Sequence, residues 1–176
     1  MCGSFLWPRE LCGHKHGDAR SRNEGLYKNQ PHGIQLLMLI ARFIPKNCVA
    51  CRSCELACAL KHSTSDDINT AMSERPAPFP RLAISYREGR LHLTRCLHCK
   101  WPKCIEACEA DVITKNDDGA VTINHERCTG RFNCIDACPF GAIYARDHKA
   151  VKCDLCGGAA ELSCVNACKC GALIYG

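Results

Sequence analysis

Aromatic residues are scarce in this chain, at 6% of 176 residues, with two Trp and three Met. A conventional apolar core would therefore be thin for the length. Long hydrophobic runs are also missing. The longest apolar stretch, Ile34 to Ile44, is interrupted by Arg42, and it falls well short of the roughly 20 residues needed to cross a bilayer. No small-residue cleavage pattern follows it, and no twin-arginine pair occurs near the start. The expectation is a cytoplasmic protein without an export address of its own and without a direct membrane span. There is no Gly-rich phosphate loop, no Ser/His/Asp arrangement and no pair of carboxylates set for acid-base work, so nothing resembles a substrate site. His62, His92, His98, His125 and His148 are scattered and read as surface or hydrogen-bonding histidines.

What the chain has in excess is cysteine. Of 18 cysteines, all but Cys2, Cys12 and Cys170 fall into four groups. The first is Cys48, Cys51, Cys54 and Cys58, a C-x2-C-x2-C-x3-C run; the second is Cys96, Cys99, Cys104 and Cys108. The third is Cys128, Cys134 and Cys138, with Arg131 where another cysteine would complete the pattern, and the fourth is Cys153, Cys156, Cys164 and Cys168. Three closely spaced thiolates can hold three corners of a cubane iron-sulfur cluster while a distant one holds the last, and in two-cluster ferredoxins the fourth cysteine of each run serves the other cluster. Four such groups imply two pairs. A disulfide framework explains neither the three-residue steps nor their repetition. Structural zinc uses two C-x2-C pairs and has no use for Cys54 or Cys58.

Clusters would replace the missing core and would couple metal binding to folding. They also change the reading of charge. The formal +5 counts thiols as neutral; with about −2 from each of four ligated cores the chain would approach roughly −3. A nucleic-acid partner is therefore not expected, and the Lys/Arg excess reads as a solvated or docking face. Residues 1–37 lack periodicity and read as a poorly structured extension. Cys2, Cys12, His14 and His16 in it fit no common zinc spacing, and Met38, which opens a short apolar segment leading to Cys48, is a plausible true start.

Downstream, the stretches from Cys104, Cys134 and Cys164 repeat one plan. In each, the residues between the last two cysteines suit a short helical turn, and the closing Val-Ile, Ala-Ile or Ala-Leu suits entry into a strand. Val112 to Lys115, Asn116 to Gly119 and Ala120 to Ile123 read as strand, turn and strand. Segment 61–90, with Pro76, Pro78 and Pro80, reads as a loop that a partner could cover, leading to a strand at Arg81 to Tyr86.

Residues 38–176 resemble the four-cluster iron-sulfur subunits of the dimethyl sulfoxide reductase, formate dehydrogenase and hydrogenase type, and within them the subunits associated with carbon monoxide dehydrogenase. The likeness rests on Cys48 to Cys58 with the following His62-Ser63, on Arg95-Cys-Leu-His-Cys99 with Pro102, on Cys134 to Ile143, and on Lys152-Cys-Asp-Leu-Cys156. Similar subunits accompany tungsten aldehyde oxidoreductase-type enzymes.

The resemblance implies an α+β fold of two ferredoxin-like halves with short strands, short helices and long cluster-binding loops. One half would comprise residues 38–89 plus 151–176, the other residues 90–150. It further implies that Cys48, Cys51, Cys54 and Cys168 hold one 4Fe-4S cluster, that Cys153, Cys156, Cys164 and Cys58 hold a second, and that Cys96, Cys99, Cys104 and Cys138 hold a third. The last site keeps Cys108, Cys128 and Cys134. Glu109 and Lys169 stand where proline is frequent in the family.

Arginine stays protonated and cannot replace a thiolate. The last site is therefore either a 3Fe-4S cluster or empty, with Arg131 occupying part of the space and pairing with Asp136 or Glu109. Any cluster there would have its potential raised by the positive charge.

The expected function is that of a non-catalytic electron-transfer protein within an oxidoreductase complex, relaying electrons between a catalytic redox partner and an acceptor or donor. That partner would be a carbon monoxide dehydrogenase, hydrogenase, formate dehydrogenase or tungsten aldehyde oxidoreductase-type enzyme. A soluble ferredoxin or a membrane hydrogenase could stand at the other end, in anaerobic metabolism. The alternatives are a free-standing polyferredoxin and, in a different class, a zinc-stapled interaction module.

Overall fold

The computed structural model describes residues 41–176. The expectations for residues 1–37, and for Cys2, Cys12, His14, His16 and Met38, lie outside the described residues. The described residues form a small α+β structure in which every strand has one antiparallel partner.

β1 (Ala41–Phe43) pairs with β8 (Leu173–Tyr175), bringing Ala41 opposite Tyr175 and Phe43 opposite Leu173. A 3-10 turn, Pro45–Asn47, then delivers the chain to Cys48. α1 (Ser53–Lys61) carries Cys54 and Cys58 one helical turn apart, both buried on one face. α2 (Ile68–Ser73) lies inside the segment expected to be a loop. Its start is fixed by Asp67, whose carboxylate accepts from the Thr70 N–H at 2.8 Å, a side-chain cap strong enough to nucleate six residues ahead of the prolines.

β2 (Leu82–Arg87) and β3 (Arg90–Arg95) form a hairpin whose two loop residues, Glu88 and Gly89, both have positive φ. That geometry matches the right-handed strand twist. β4 (Ile113–Lys115) and β5 (Val121–Ile123) form the hairpin expected from the sequence, with Gly119 at φ 82 in its turn. β6 (Ile143–Arg146) and β7 (Lys149–Lys152) form another, turned by Asp147 and His148, both at positive φ.

The three expected helical turns are present: α3 (Lys103–Glu106), α4 (Asn133–Asp136) and α5 (Ser163–Asn166). Each is followed by a strand, β4, β6 or β8. An irregular turn, Leu155–Gly158, follows Cys153.

Buried apolar side chains collect in two groups, and cysteines sit inside both. The first gathers Ala41, Leu82, Ile84, Leu162, Val165 and Leu173 around Cys54, Cys58 and Cys164. The second gathers Val112, Ile113, Val121, Ile123, Ile143 and Ala150 around Cys134. The thin aromatic content is thus matched by small aliphatic cores with sulfur at their centres. No helix among the described residues is long and apolar enough to cross a membrane.

Candidate metal centres

The four cysteine loops share one backbone device. The residue two positions after the opening cysteine has positive φ in every loop: Ala50 at 55, His98 at 48, Gly130 at 70 and Leu155 at 56. This left-handed step turns successive N–H groups toward the loop interior, a concavity suited to anionic sulfur. Arg52 at φ 59 and Phe132 at φ 63 repeat a second left-handed step in the first and third loops. The Arg131 loop therefore has the backbone of a cysteine loop although the thiol is missing. After the last cysteine of three groups a further left-handed residue recurs, at Asp111, Gly141 and Gly171. Each donates its N–H to the carbonyl of the cysteine three residues earlier.

Backbone N–H groups also point at sulfur. Arg81 N–H donates to Cys58 Sγ at 3.3 Å, His98 N–H to Cys96 Sγ at 3.4 Å, Ala142 N–H to Cys138 Sγ at 3.5 Å and Leu173 N–H to Cys168 Sγ at 3.3 Å. Such donors stabilise a thiolate more than a thiol.

The thiols gather across motifs. Burial pushes Cys58 up to about 12, and its neighbours Cys153, Cys164 and Cys156 add to the effect. Burial likewise pushes Cys164 up to about 12, with Cys153, Cys156 and Cys54 beside it. It pushes Cys54 up to about 11, with Glu55 and Cys168 nearby. Cys104 is raised by burial and lies within reach of Cys96 and Cys138. Burial raises Cys134 to about 11, next to Cys108 and Cys128. Cys48 packs against the first buried group with Cys168. Cys51 is exposed and Cys99 half-buried in the same loops.

Burial disfavours the ionised form of these thiols, and a bound metal would favour the thiolate. The donors in these loops are sulfurs almost throughout. A polynuclear core fits this donor set.

Neighbours from different groups link the sites in series. Cys54 lies near Cys164, Cys153 near Cys96, and Cys134 near Cys104.

Cys108, Cys128 and Cys134 line a small open cleft together with Glu109 and Arg131. Arg131 is 64% exposed and forms an ion pair with Glu109, while Asn133 donates to the other Glu109 oxygen at 2.9 Å. The pairing is thus with Glu109; among the described contacts none joins Arg131 to Asp136.

The loop is also pinned by Gly130. A Cβ there would stand 2.2 Å from the His148 carbonyl oxygen, on a backbone at φ +70. Gly130→Ala is expected to cost at least about 1–2 kcal/mol from the left-handed strain alone. A lower thermal midpoint and weaker iron retention would show it; an unchanged melt would mean the loop relaxes freely.

Three features have a structural setting that the sequence motifs did not specify. His62 contacts the Cys58 carbonyl oxygen through Nδ1 at 2.7 Å and Asp154 through Nε2 at 3.0 Å. Asp154 also pairs with Arg81, so the network encloses Cys58. His98 is buried, its Nδ1 accepting from the Val121 N–H at 2.8 Å. Burial, with Lys152 and Arg95 nearby, lowers it to about 3. Finally, Arg95 and Lys152, which open two of the stretches that carry the family resemblance, are buried.

Comparison with known proteins agrees with this chemistry. Residues 90–176 match the family model described as a 4Fe-4S dicluster domain. An iron-sulfur protein of Rhodospirillum rubrum is 32% identical over 86 residues, covering 49% of this chain and 45% of the relative. The electron transport protein HydN of Escherichia coli strain K12 is 32% identical over 84 residues, covering 47% and 46%. A selenate reductase subunit of Mesobacillus selenatarsenatis is 31% identical over 99 residues, covering 55% and 31%. The chain thus spans less than half the length of these relatives. Residues 90–176, just under half of the chain, are thus similar to a 4Fe-4S dicluster domain, and the relatives are proteins named for iron-sulfur or electron-transport roles.

Proposed function

We propose that this chain is the non-catalytic relay of an oxidoreductase complex, holding three 4Fe-4S clusters and one 3Fe-4S cluster in a line. The thiol groups described above are the ligands, in two ferredoxin-like halves, one built from the first and fourth motifs and the other from the second and third. The observation that carries the reading is the serial adjacency of thiols drawn crosswise from different motifs. A disulfide scaffold or a set of single-ion sites gives no reason for that arrangement.

Iron-sulfur cores supply one-electron chemistry at each site. The protein contributes buried sulfurs, N–H donors that favour their ionised form, and a fixed order of sites. At Cys108/Cys128/Cys134 the trinuclear assignment is supported by the open cleft and by the outward pairing of Arg131 with Glu109.

The partner is a catalytic redox protein of the carbon monoxide dehydrogenase, hydrogenase, formate dehydrogenase or tungsten aldehyde oxidoreductase type, and the relay works in the cytoplasm. The relatives include subunits of selenate reductase and tetrathionate reductase, which supports a place within a complex over a free polyferredoxin.

Iron and acid-labile sulfide analysis with low-temperature EPR, on anaerobically purified protein, tests this. About fifteen irons per chain and an oxidised-state trinuclear signal are expected. About twelve irons without that signal would leave a three-cluster relay, and zinc without sulfide would end the electron-transfer reading.

A further inference from the structure

Arg95 and Lys152 occupy equivalent places. Each is the last residue of a strand, β3 or β7, and each immediately precedes the opening cysteine of its motif, Cys96 or Cys153. Both are buried, Arg95 at 9% exposure and Lys152 at 2%. Their hydrogen bonds match as well. Arg95 Nη1 donates to the Cys96 carbonyl at 3.0 Å, and Lys152 Nζ donates to the Cys153 carbonyl at 2.8 Å. Each also donates to the carbonyl of a remote strand residue, Arg95 to Ala41 and Lys152 to Val121. The other two motifs lack this device: half-buried Asn47 precedes Cys48 and exposed Arg127 precedes Cys128.

Neither buried cation has a carboxylate partner among the described residues. A charge withdrawn from water without a counter-charge costs several kcal/mol in general, and carbonyl dipoles offset only part of that. The titratable groups that face these cations are thiols and the buried imidazole of His98, and Lys152 also lines a cleft with Asp118 and Asp154. Arg95 lies within electrostatic reach of Cys153, Cys164 and Cys96, and Lys152 of Cys104 and Cys153. Both charges therefore act on the two middle sites of the series. Cys153 and Cys96, from the two different sites, are within electrostatic reach of one another.

We propose that Arg95 and Lys152 are the shared counterions of the two middle clusters and raise their reduction potentials above those they would have without the buried charge. This rests on the relay reading above. Reduction adds one electron to a site whose ligated core is already anionic, and a fixed cation at short range in a low-dielectric interior favours the reduced form. One pair of cations serving both sites moves the two potentials together. It keeps the central step of the relay near balance while the end sites are set independently.

The test is an EPR-monitored redox titration of the full-length holoprotein, reduced with dithionite in the presence of mediators. Arg95→Gln and Lys152→Gln remove each charge, Arg95→Lys and Lys152→Arg keep it, and Arg90→Gln removes an exposed charge on the β2–β3 hairpin. Each glutamine variant is expected to shift two centres to lower potential, by about tenfold in the reduction equilibrium constant, or about 59 mV for one electron. The trinuclear centre, identified by its oxidised-state signal, stays in place, as do all centres in Arg90→Gln and in the charge-retaining variants.

Unshifted potentials in both glutamine variants, an equal shift of every centre, or equal shifts in the charge-retaining variants would overturn the proposal. If a glutamine variant loses iron while its charge-retaining counterpart keeps it, the counterion role stands; equal loss in both overturns it. Wild-type protein without iron and sulfide would defeat the relay reading itself, whereas loaded wild type with unshifted variants defeats only this inference.

Discussion

Arg131→Cys raises the iron content by about one per chain and abolishes the trinuclear EPR signal, replacing it with a fourth low-potential 4Fe-4S centre. The loop is already shaped for the change. Gly130 at φ 70 and Phe132 at φ 63 flank position 131 as Ala50 at φ 55 and Arg52 at φ 59 flank Cys51, so a sulfur placed there meets a backbone in cysteine-loop form. The cost of removing arginine is small. Its ion pair with Glu109 joins two side chains that are 64% and 54% exposed, and exposed pairs of this kind contribute at most about 1 kcal/mol. Arg131→Ala serves as the contrast: it removes the same pair without adding a ligand, and its iron content and signal stay as in the wild type. A cysteine variant that keeps the trinuclear signal would mean that position 131 does not face the open corner. The consequence for function is directional, because exchanging a guanidinium for a thiolate lowers the potential of the terminal site and changes whether it serves as a sink or a source of electrons.

The parts of the fold that repeat locally were legible in the sequence. The spacing of Cys104 to Cys108, Cys134 to Cys138 and Cys164 to Cys168 announces a short helical turn, and α3, α4 and α5 occupy those places. The β4–β5 hairpin follows from alternation around a Gly-containing turn. What stayed hidden depends on distance or on very short signals. The β1–β8 pairing joins the two ends of the described chain, and no local pattern encodes a partner so remote. α2 is only six residues long and buries only Ala71, too little to register as periodicity; its cap at Asp67 is the one readable sign. The β6–β7 hairpin turns on Asp147-His148 in place of the Asn-Gly or Asp-Gly pairs that mark such turns.

The site divides in the same way. Cysteine spacing proposes the sulfurs, and which motif meets which is an implication of resemblance; in the structure Cys58 has Cys153, Cys156 and Cys164 as electrostatic neighbours. Charge was the least legible element. Arg95, Arg127 and Lys152 each precede an opening cysteine, yet Arg127 is exposed while Arg95 and Lys152 are buried. Only the strand ends that deliver Arg95 and Lys152 between two sets of thiols separate a solvated charge from an internal one. Composition also misled on the core. Few aromatics mean few large buried side chains, but the second buried group is built of valine, isoleucine and alanine around Cys134, with Phe132 packed against it.

Asp154→Asn is expected to lower the stability of the loaded protein by about 3 kcal/mol, the lower end of the range for breaking a buried ion pair. Asp154 stands between Cys153 and Cys156, pairs with Arg81 and contacts His62 Nε2, with all three side chains largely shielded. Burial alone would push the Asp154 carboxyl up; the His62 hydrogen bond and the Arg81 charge outweigh it and hold the group well below the usual carboxylate range. Asparagine keeps the shape but presents an N–H₂ to at least one of two donors, leaving a buried guanidinium or imidazole without its acceptor. The damage reaches Cys58 twice, since the Arg81 N–H donates to its sulfur and His62 contacts its carbonyl oxygen. For a chain of this length a 3 kcal/mol loss corresponds to a fall of roughly 6–12 °C in midpoint. Differential scanning calorimetry together with visible absorbance would follow the melt and the bleaching of clusters. The first chromophore to bleach should be the one assigned to Cys58, Cys153, Cys156 and Cys164, with the trinuclear signal persisting to higher temperature. A midpoint unchanged within about 1 °C would reduce the network to surface decoration. Bleaching of the trinuclear centre first would place the weakest link at the Arg131 loop and not at the junction of α1, β2 and the fourth motif.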